Sequence, residues 1–136
     1  MKISTKGRYA LRFLTDLAVR QGDGFVPLKD VAARQNISKK YLEQIVPLLT
    51  AADVVETNRG HTGGYRLKKG TEELSVARIL KITEGGFAPV PCLEKSEDCA
   101  RSATCPTLPV WTELYRRIDE YLESVTLRDL VEQSKA

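Results

Sequence analysis

The stretch from Pro27 to Leu67 constrains this chain most, because it sets four short patterns end to end with almost no spacer. The segment "PLKDVAARQ" (27–35) opens on a proline, which suits the first turn of a helix, and puts Leu28, Val31 and Ala32 on one side. "NIS" (36–38) leaves room only for a tight turn. Ser38 can then cap "KKYLEQIVPLL", whose Leu42, Ile45 and Leu49 recur at helical spacing. Pro47 has no backbone N–H and is expected to kink the last turn of that helix. Val54 and Val55 then start a strand, "NRGHTGG" is turn chemistry, and "YRL" alternates as a return strand.

Helix, tight turn, helix, hairpin is the order of a winged helix-turn-helix. The flanking sequence fits around it. Ser4 or Thr5 can cap a first helix with Ala10, Phe13, Leu14, Leu17 and Ala18 on one face, stopped by "QGDG". Ser75 can cap "VARILKITEG", which Gly85 and Gly86 end. From about Thr107 a long helix carries Leu108, Trp111, Leu114, Tyr115, Ile118, Tyr121, Leu122 and Val125 as one stripe. Thr126 and Asp129 form a capping-box-like start for a short last helix, "LRDLVEQ". The expected fold is therefore mainly α with a small β-hairpin wing. Its expected parts are a winged helix-turn-helix over residues 1–84, a cysteine-containing loop over 85–106, and a long helix with a short C-terminal helix over 107–136.

Charge decides what such a fold could meet. The formal net charge is only +3. Fifteen of the 21 lysines and arginines, however, fall within residues 1–81, while the acids gather from Glu84 onward. A basic front and an acidic rear suggest a half that binds nucleic acid and a half that assembles. The helix after Ser38 would meet a major groove with its N-terminal residues: Ser38, Lys39, Lys40 and Tyr41, then Glu43 and Gln44. Two lysines at a helix N-terminus oppose the helix dipole, a small cost that makes sense beside phosphates. Gln44 can pair bidentately with adenine, and Glu43 can accept from cytosine N4. Arg59, between Asn58 and Gly60 at the hairpin tip, can enter a narrow minor groove, with His61 beside it as a phosphate or groove contact. The same residues also suit a plain solvated helix face and an exposed turn.

The stripe containing Trp111, Tyr115, Ile118, Tyr121 and Leu122 is too apolar to stay wet on a 136-residue chain, which points to a second copy covering it. No run approaches the roughly 20 apolar residues of a membrane span, and Arg8 and Arg12 interrupt the apolar patch of the first helix. The expectation is a cytoplasmic protein, where thiols stay reduced.

All three cysteines, Cys92, Cys99 and Cys105, sit in one polar segment, "PCLEKSEDCARSATCP". An odd number excludes complete internal pairing. Spaced C-x6-C-x5-C, three thiolates can converge on one centre if the loop wraps it. Thiolates suit iron–sulfur clusters and bind zinc well, and a bound centre would stand in for the core this loop lacks. An iron–sulfur cluster, a structural zinc site, a metal-free thiol sensor and chance all remain open on spacing alone. Enzymatic chemistry is not expected: there is no glycine-rich phosphate loop, no Ser/His/Asp set and no paired histidines, and the cysteines have no base in their own segment.

"MKISTKGRYAL", "ISKKYLEQIVPLL", "NRGHTGGYRL", "CLEKSEDCARSATC" and "TLRDL" together resemble the Rrf2 family of bacterial winged-helix regulators over nearly the whole chain. The cysteine loop resembles its IscR-like, cluster-binding branch. That resemblance implies a homodimer on a pseudo-palindromic double-stranded operator, with the long helix crossing its partner. It implies Ser38, Glu43 and Gln44 near bases, Arg59 in the minor groove, and Cys92, Cys99 and Cys105 as cluster ligands. A 2Fe–2S cluster ranks first, 4Fe–4S second, and zinc behind both. The alternative is a CymR-like regulator of sulfur or cysteine metabolism that answers to a protein partner or thiol oxidation without a cluster. Two features depart from the IscR-like pattern. The first cysteine interval is one residue longer, and Leu108 stands where that branch has a histidine ligand. The candidates for a fourth ligand are then Glu94, Glu97, Asp98, Thr107, a small molecule, or a residue of the partner's first helix.

Overall fold

The computed structural model describes residues 2–20, 22, 24–60, 63–94 and 99–135. Its helices are α1 (Thr5–Val19), α2 (Leu28–Gln35), α3 (Lys39–Ala51), α4 (Val76–Glu84), α5 (Leu108–Ser124) and α6 (Leu127–Ser134). The strands β1 (Val55–Asn58) and β2 (Gly64–Leu67) lie between α3 and α4. This is a winged helix-turn-helix, as expected, with a long helix and a short one after it.

Local chemistry sets the boundaries. Ser4 Oγ accepts from the Gly7 N–H at 3.3 Å and caps α1. Asn36 ends α2 in the left-handed region at φ 53°, a conformation that asparagine tolerates. Ile37 turns into the core there, and Ser38 Oγ accepts from the Tyr41 N–H at 3.3 Å to start α3. The three-residue turn thus consists of a C-cap, an apolar anchor and an N-cap. Pro47 does not end the helix: α3 runs through it to Ala51. Pro47 and Glu43 both lie on the exposed side, so water can satisfy the carbonyl left without its donor.

The main core forms around α1, where Ala10, Phe13 and Leu14 are fully buried. Val31 of α2, Leu42, Ile45 and Leu49 of α3, Val54 and Val55 join them. The β1–β2 pair is antiparallel, with Val55 opposite Leu67, Glu56 opposite Arg66 and Asn58 opposite Gly64. Val54 is buried but precedes the strand. The wing also has a third, single-residue partner that the sequence pattern does not reveal: Val26 donates to Tyr65 O at 2.8 Å and accepts from Tyr65 N at 2.9 Å. Gly64 makes this possible, because a Cβ at that position would collide with the Val26 backbone.

A smaller core joins α4 to α5. Val76, Ala77, Leu80 and Phe87 are buried there, with Tyr115, Ile118, Leu122 and Val125 packed half-buried against them. The Phe87 and Tyr115 rings meet edge to face, centroids 5.8 Å apart. The chain then closes on itself: Val76 donates to Val125 O and Leu127 donates to Leu74 O, both at 2.8 Å. Thr126 and Asp129 form the expected capping box, and Leu127 reaches the main core. Gly7 marks the tight crossing of α1 over α4, since a Cβ there would collide with the Glu84 carboxylate and stand 2.9 Å from Leu80 Cδ2.

Candidate nucleic-acid interface and thiol cavity

Helix α3 divides into two faces. Leu42, Ile45, Val46 and Leu49 are buried, while Ser38, Lys39, Lys40, Glu43 and Gln44 are exposed. Lys39 Nζ stands 3.9 Å from Glu43 Oε1, a loose exposed pair that leaves both groups available. Tyr41 differs from its neighbours. It is half-buried, and its ring meets that of Tyr9 edge to face at 5.5 Å. Its ring therefore fixes α3 on α1, whatever its hydroxyl reaches.

The helix-turn-helix is held by a buried carboxylate. Asp16 of α1 is 7% exposed and accepts from Arg34 Nη2 at 2.6 Å, Arg34 Nε at 3.0 Å and Gln35 Nε2 at 3.0 Å. Burial pushes the Asp16 carboxyl up. The hydrogen bonds from Arg34 and Gln35, with the charges of Arg34 and Arg20, outweigh that and hold it below the usual carboxylate range. On the same side Arg12 donates to the Gln35 carbonyl and side chain, and its guanidinium lies 5.3 Å from the Tyr9 ring centroid. These contacts fix the end of α2 on α1, and the sequence pattern does not reveal them: an aspartate in α1 and an arginine in α2 carry no periodic signal of their contact.

At the wing tip Arg59 and Gly60 are exposed, and Arg59 makes no hydrogen bond or ion pair with another described residue. Gly60 takes φ 125°, and the Gly63 N–H donates to Gly60 O at 3.0 Å. His61 lies outside the described residues. The wing is braced by Arg66, which pairs with Glu56 across the strands at 2.5 Å and lies 4.3 Å from the Phe25 ring centroid. Lys39 and Lys40 are thus exposed cations on the first turn of α3, and Arg59 is an exposed cation just past the end of β1.

The expected dimer residues divide between surfaces. Tyr115, Ile118 and Leu122 pack half-buried on this chain's own α4 region. Tyr121 is 66% exposed, and Val110 and Leu114 are also exposed. Residues 110, 114 and 121 share a helical face. Along it Arg116 pairs with Glu113 and Glu120, and Arg117 pairs with Glu113. Helix α5 buries no residue fully within the chain.

The loop from Gly85 to Thr107 brings the three cysteines to one place. Cys92, Cys99 and Cys105 line a cavity of about 80 Å³ together with Ser102, Thr107, Leu108 and Trp111. Trp111, expected only as a dimer residue, lies on this wall. No cysteine is disulfide-bonded; Cys92 and Cys99 are exposed and Cys105 is half-buried. Cys105 Sγ lies 3.2 Å from Thr107 Oγ1. That hydroxyl, then the backbone N–H groups of Thr107 and Leu108 at the start of α5, hold the Cys105 thiol below its ordinary range. Among the described residues no three His, Cys, Asp or Glu side chains stand close enough together to hold a metal ion as placed. Sharing a cavity is thus a looser arrangement than a finished ligand set. The donors still have the right chemistry: three soft thiols, one of them held below its ordinary pKa range by the Thr107 hydroxyl and the backbone N–H groups at the start of α5. Leu108 adds no ligand, and the other described donors on the wall are the hydroxyls of Ser102 and Thr107. Of the expected fourth ligands, Glu97 and Asp98 lie outside the described residues. Glu94 lines a separate depression with Lys2 and Glu84. No helix among the described residues is long and apolar enough to cross a membrane.

Comparison with known proteins agrees with this architecture. The pattern of the Rrf2 family, described as an iron-dependent transcriptional regulator, matches residues 3–133. The chain is 38% identical to the HTH-type transcriptional regulator CymR of Bacillus subtilis, over 96% of this chain and 89% of that protein. It is 36% identical to the HTH-type transcriptional regulator IscR of Photobacterium profundum, over 96% of this chain and 76% of that protein. Among solved structures, the global cysteine regulator CymR of B. subtilis superposes with a TM-score of 0.80 at 37% identity, covering 98% of each chain. IscR of T. potens gives 0.77 at 35% identity, over 98% of this chain and 88% of that one.

Proposed function

The chain belongs to the Rrf2 family of transcriptional regulators, and on that premise we propose that it is a homodimeric DNA-binding regulator whose cysteine loop senses iron–sulfur, redox or nitric-oxide status. Its relatives are regulators, not enzymes. The observation that carries the sensing part is the meeting of Cys92, Cys99 and Cys105 around one cavity at the N-terminus of α5. Those thiols would hold an iron–sulfur cluster, 2Fe–2S ahead of 4Fe–4S, and the cluster would supply redox and nitric-oxide reactivity. The chain's own part is to supply three sulfurs, leave Leu108 as a non-ligand, and connect the loop to α5. Three protein thiolates with an open fourth position make a labile site, which suits a sensor.

In this reading α3 enters the major groove. Ser38, Glu43 and Gln44 approach base edges, Lys39 and Lys40 approach phosphates, and Tyr41 sets the helix position. Arg59, with Gly60 and His61, follows the minor groove at the wing. A twofold dimer reads two half-sites of a pseudo-palindrome, one helical turn or a multiple of it apart.

The looseness of the thiol arrangement favours a second reading, a CymR-like regulator that works without a cluster through thiol oxidation or a protein partner. Anaerobic purification with iron, sulfide and zinc analysis separates the two. Iron and sulfide bound in the wild type and lost from a C92S/C99S/C105S variant support the cluster. Iron-free protein with unchanged operator affinity supports the second reading. A gel shift on the chain's own promoter tests the DNA-binding half, and the absence of a sequence-specific complex in every state rejects it.

A further inference from the structure

We infer that Trp111 is the positioning residue through which the thiol cavity acts on α5 and on the exposed stripe beyond it. The inference deepens the reading of the loop as a binding site and rests on it. Trp111 belongs to the first turn of α5, which begins at Leu108. It lines the cavity with Cys92, Cys99 and Cys105. Its immediate neighbour Val110 is 57% exposed, and Leu114, three residues on, is 41% exposed. One helical turn therefore carries the cavity wall on one side and the apolar stripe on another. Thr107, which touches Cys105 Sγ, begins the same turn.

The geometry limits how occupancy can be read. The cavity is small, about 80 Å³, and the loop ahead of it is polar and buries little of itself. A centre held by the three sulfurs fills so small a space and comes against its walls, Trp111 among them. Loop residues 99–104 are exposed and can give way. Trp111 is the largest side chain of the wall, is half-buried and stands on the first turn of a 17-residue helix that packs on α4. Turning or translating that first turn moves Val110 and Leu114 with it, because a packed helix moves as a rigid element.

The chain contains one tryptophan, so its emission reports this site alone. Zinc serves as the probe: it takes thiolate ligands, is redox-inert and has no absorbance that would quench indole by itself. Zinc is titrated anaerobically into reduced protein, with binding measured by competition against a chromophoric chelator and dimerisation by sedimentation at zinc saturation. The expected result is an emission change in the wild type that saturates with zinc and is absent from C92S/C99S/C105S. The dimer dissociation constant should shift by at least about five-fold with zinc, the lower end of ordinary coupling between sites. The shift should be lost in W111A and restored in W111F, which keeps an aromatic wall. Should W111A not fold, W111L takes its place, and the wild-type emission stands as an independent measure. Zinc that binds without changing emission overturns the inference, and so does a W111A dimer that shifts as far as the wild type. Failure of zinc to bind at all counts against the loop as a metal site and removes this inference with it.

Discussion

Asp16 Oδ1 of α1 accepts from Arg34 Nη2 of α2 at 2.6 Å, and the carboxylate side chain is only 5% exposed against 30% for the arginine. This pair ties the first helix of the helix-turn-helix to α1. Its consequence for stability has a definite sign. Asp16 is held below its ordinary range when folded, so its contribution is fully present above the unfolded value near 3.9 and is lost as pH falls through the folded one. Asp16→Asn should cost about 1–3 kcal/mol at pH 7, the range for a buried group losing a charged partner that is itself partly solvated. The difference from the wild type should shrink below about pH 4. Urea unfolding at pH 7, 5, 4 and 3 measures it. A gap that stays constant across that range would show that the carboxylate charge is not what stabilises the pair.

Gly64 is a second test of the architecture. Gly64→Ala should break the two hydrogen bonds between Val26 and Tyr65, because its Cβ would meet the Val26 backbone, which cannot rotate away. A loss of about 1–3 kcal/mol is expected, the usual cost of forcing an atom into a packed site. Amide exchange at Val26 and Tyr65 should accelerate before the rest of the hairpin. Unchanged protection at both would mean that the backbone relaxes at no cost.

These two sites mark where the sequence was legible and where it was not. The caps at Ser4, Ser38, Ser75 and Thr126, the stop at Gly85, and the apolar face of α1 were readable because each depends on neighbours within one helical turn. Pro47 marks an awkward point in α3, but that water can reach the carbonyl it leaves without a donor depends on which side of the helix is exposed, and that is a tertiary fact. The Val26 bridge and the Asp16–Arg34 pair join distant residues and leave no periodic trace. The cysteine spacing gave the right residues for one cavity, but not Ser102, and not Trp111's place on its wall, since the loop's path sets both. Within the α5 stripe, period alone could not divide Tyr115, Ile118 and Leu122, which face α4, from Leu114 and Tyr121, which do not, and it left out exposed Val110 on the same side as those two.

That division makes the assembly testable. Leu114→Glu should place a charge in the exposed stripe and leave the chain folded but monomeric, because no core contact is touched. Ile118→Ala should instead weaken the α4–α5 core, by about 2–4 kcal/mol allowing for its half-burial. Light scattering and thermal unfolding on both variants distinguish the two roles. A Leu114→Glu protein that remains dimeric at micromolar concentration would move the interface elsewhere.

The DNA-reading face separates base contact from phosphate contact in the same way. Glu43 and Lys39 are exposed and only loosely paired, at 3.9 Å, so removing Glu43 leaves the fold intact and frees a lysine for phosphate. Glu43→Ala should therefore relax base preference by about 1–3 kcal/mol at one position of each half-site while leaving overall affinity nearly level. Arg59→Ala removes a cation that has no partner among the described residues, so it should weaken binding without destabilising the protein. The effect should be largest on operators with A·T-rich sequence under the wing, where a narrow minor groove concentrates negative potential. It should also flatten the dependence of affinity on salt by about one ion per wing. Competition gel shifts against a randomised half-site library, repeated at two salt concentrations, read both effects. Unaltered base preference in Glu43→Ala would remove α3 from base reading, and an unaltered salt slope in Arg59→Ala would remove the wing from the groove.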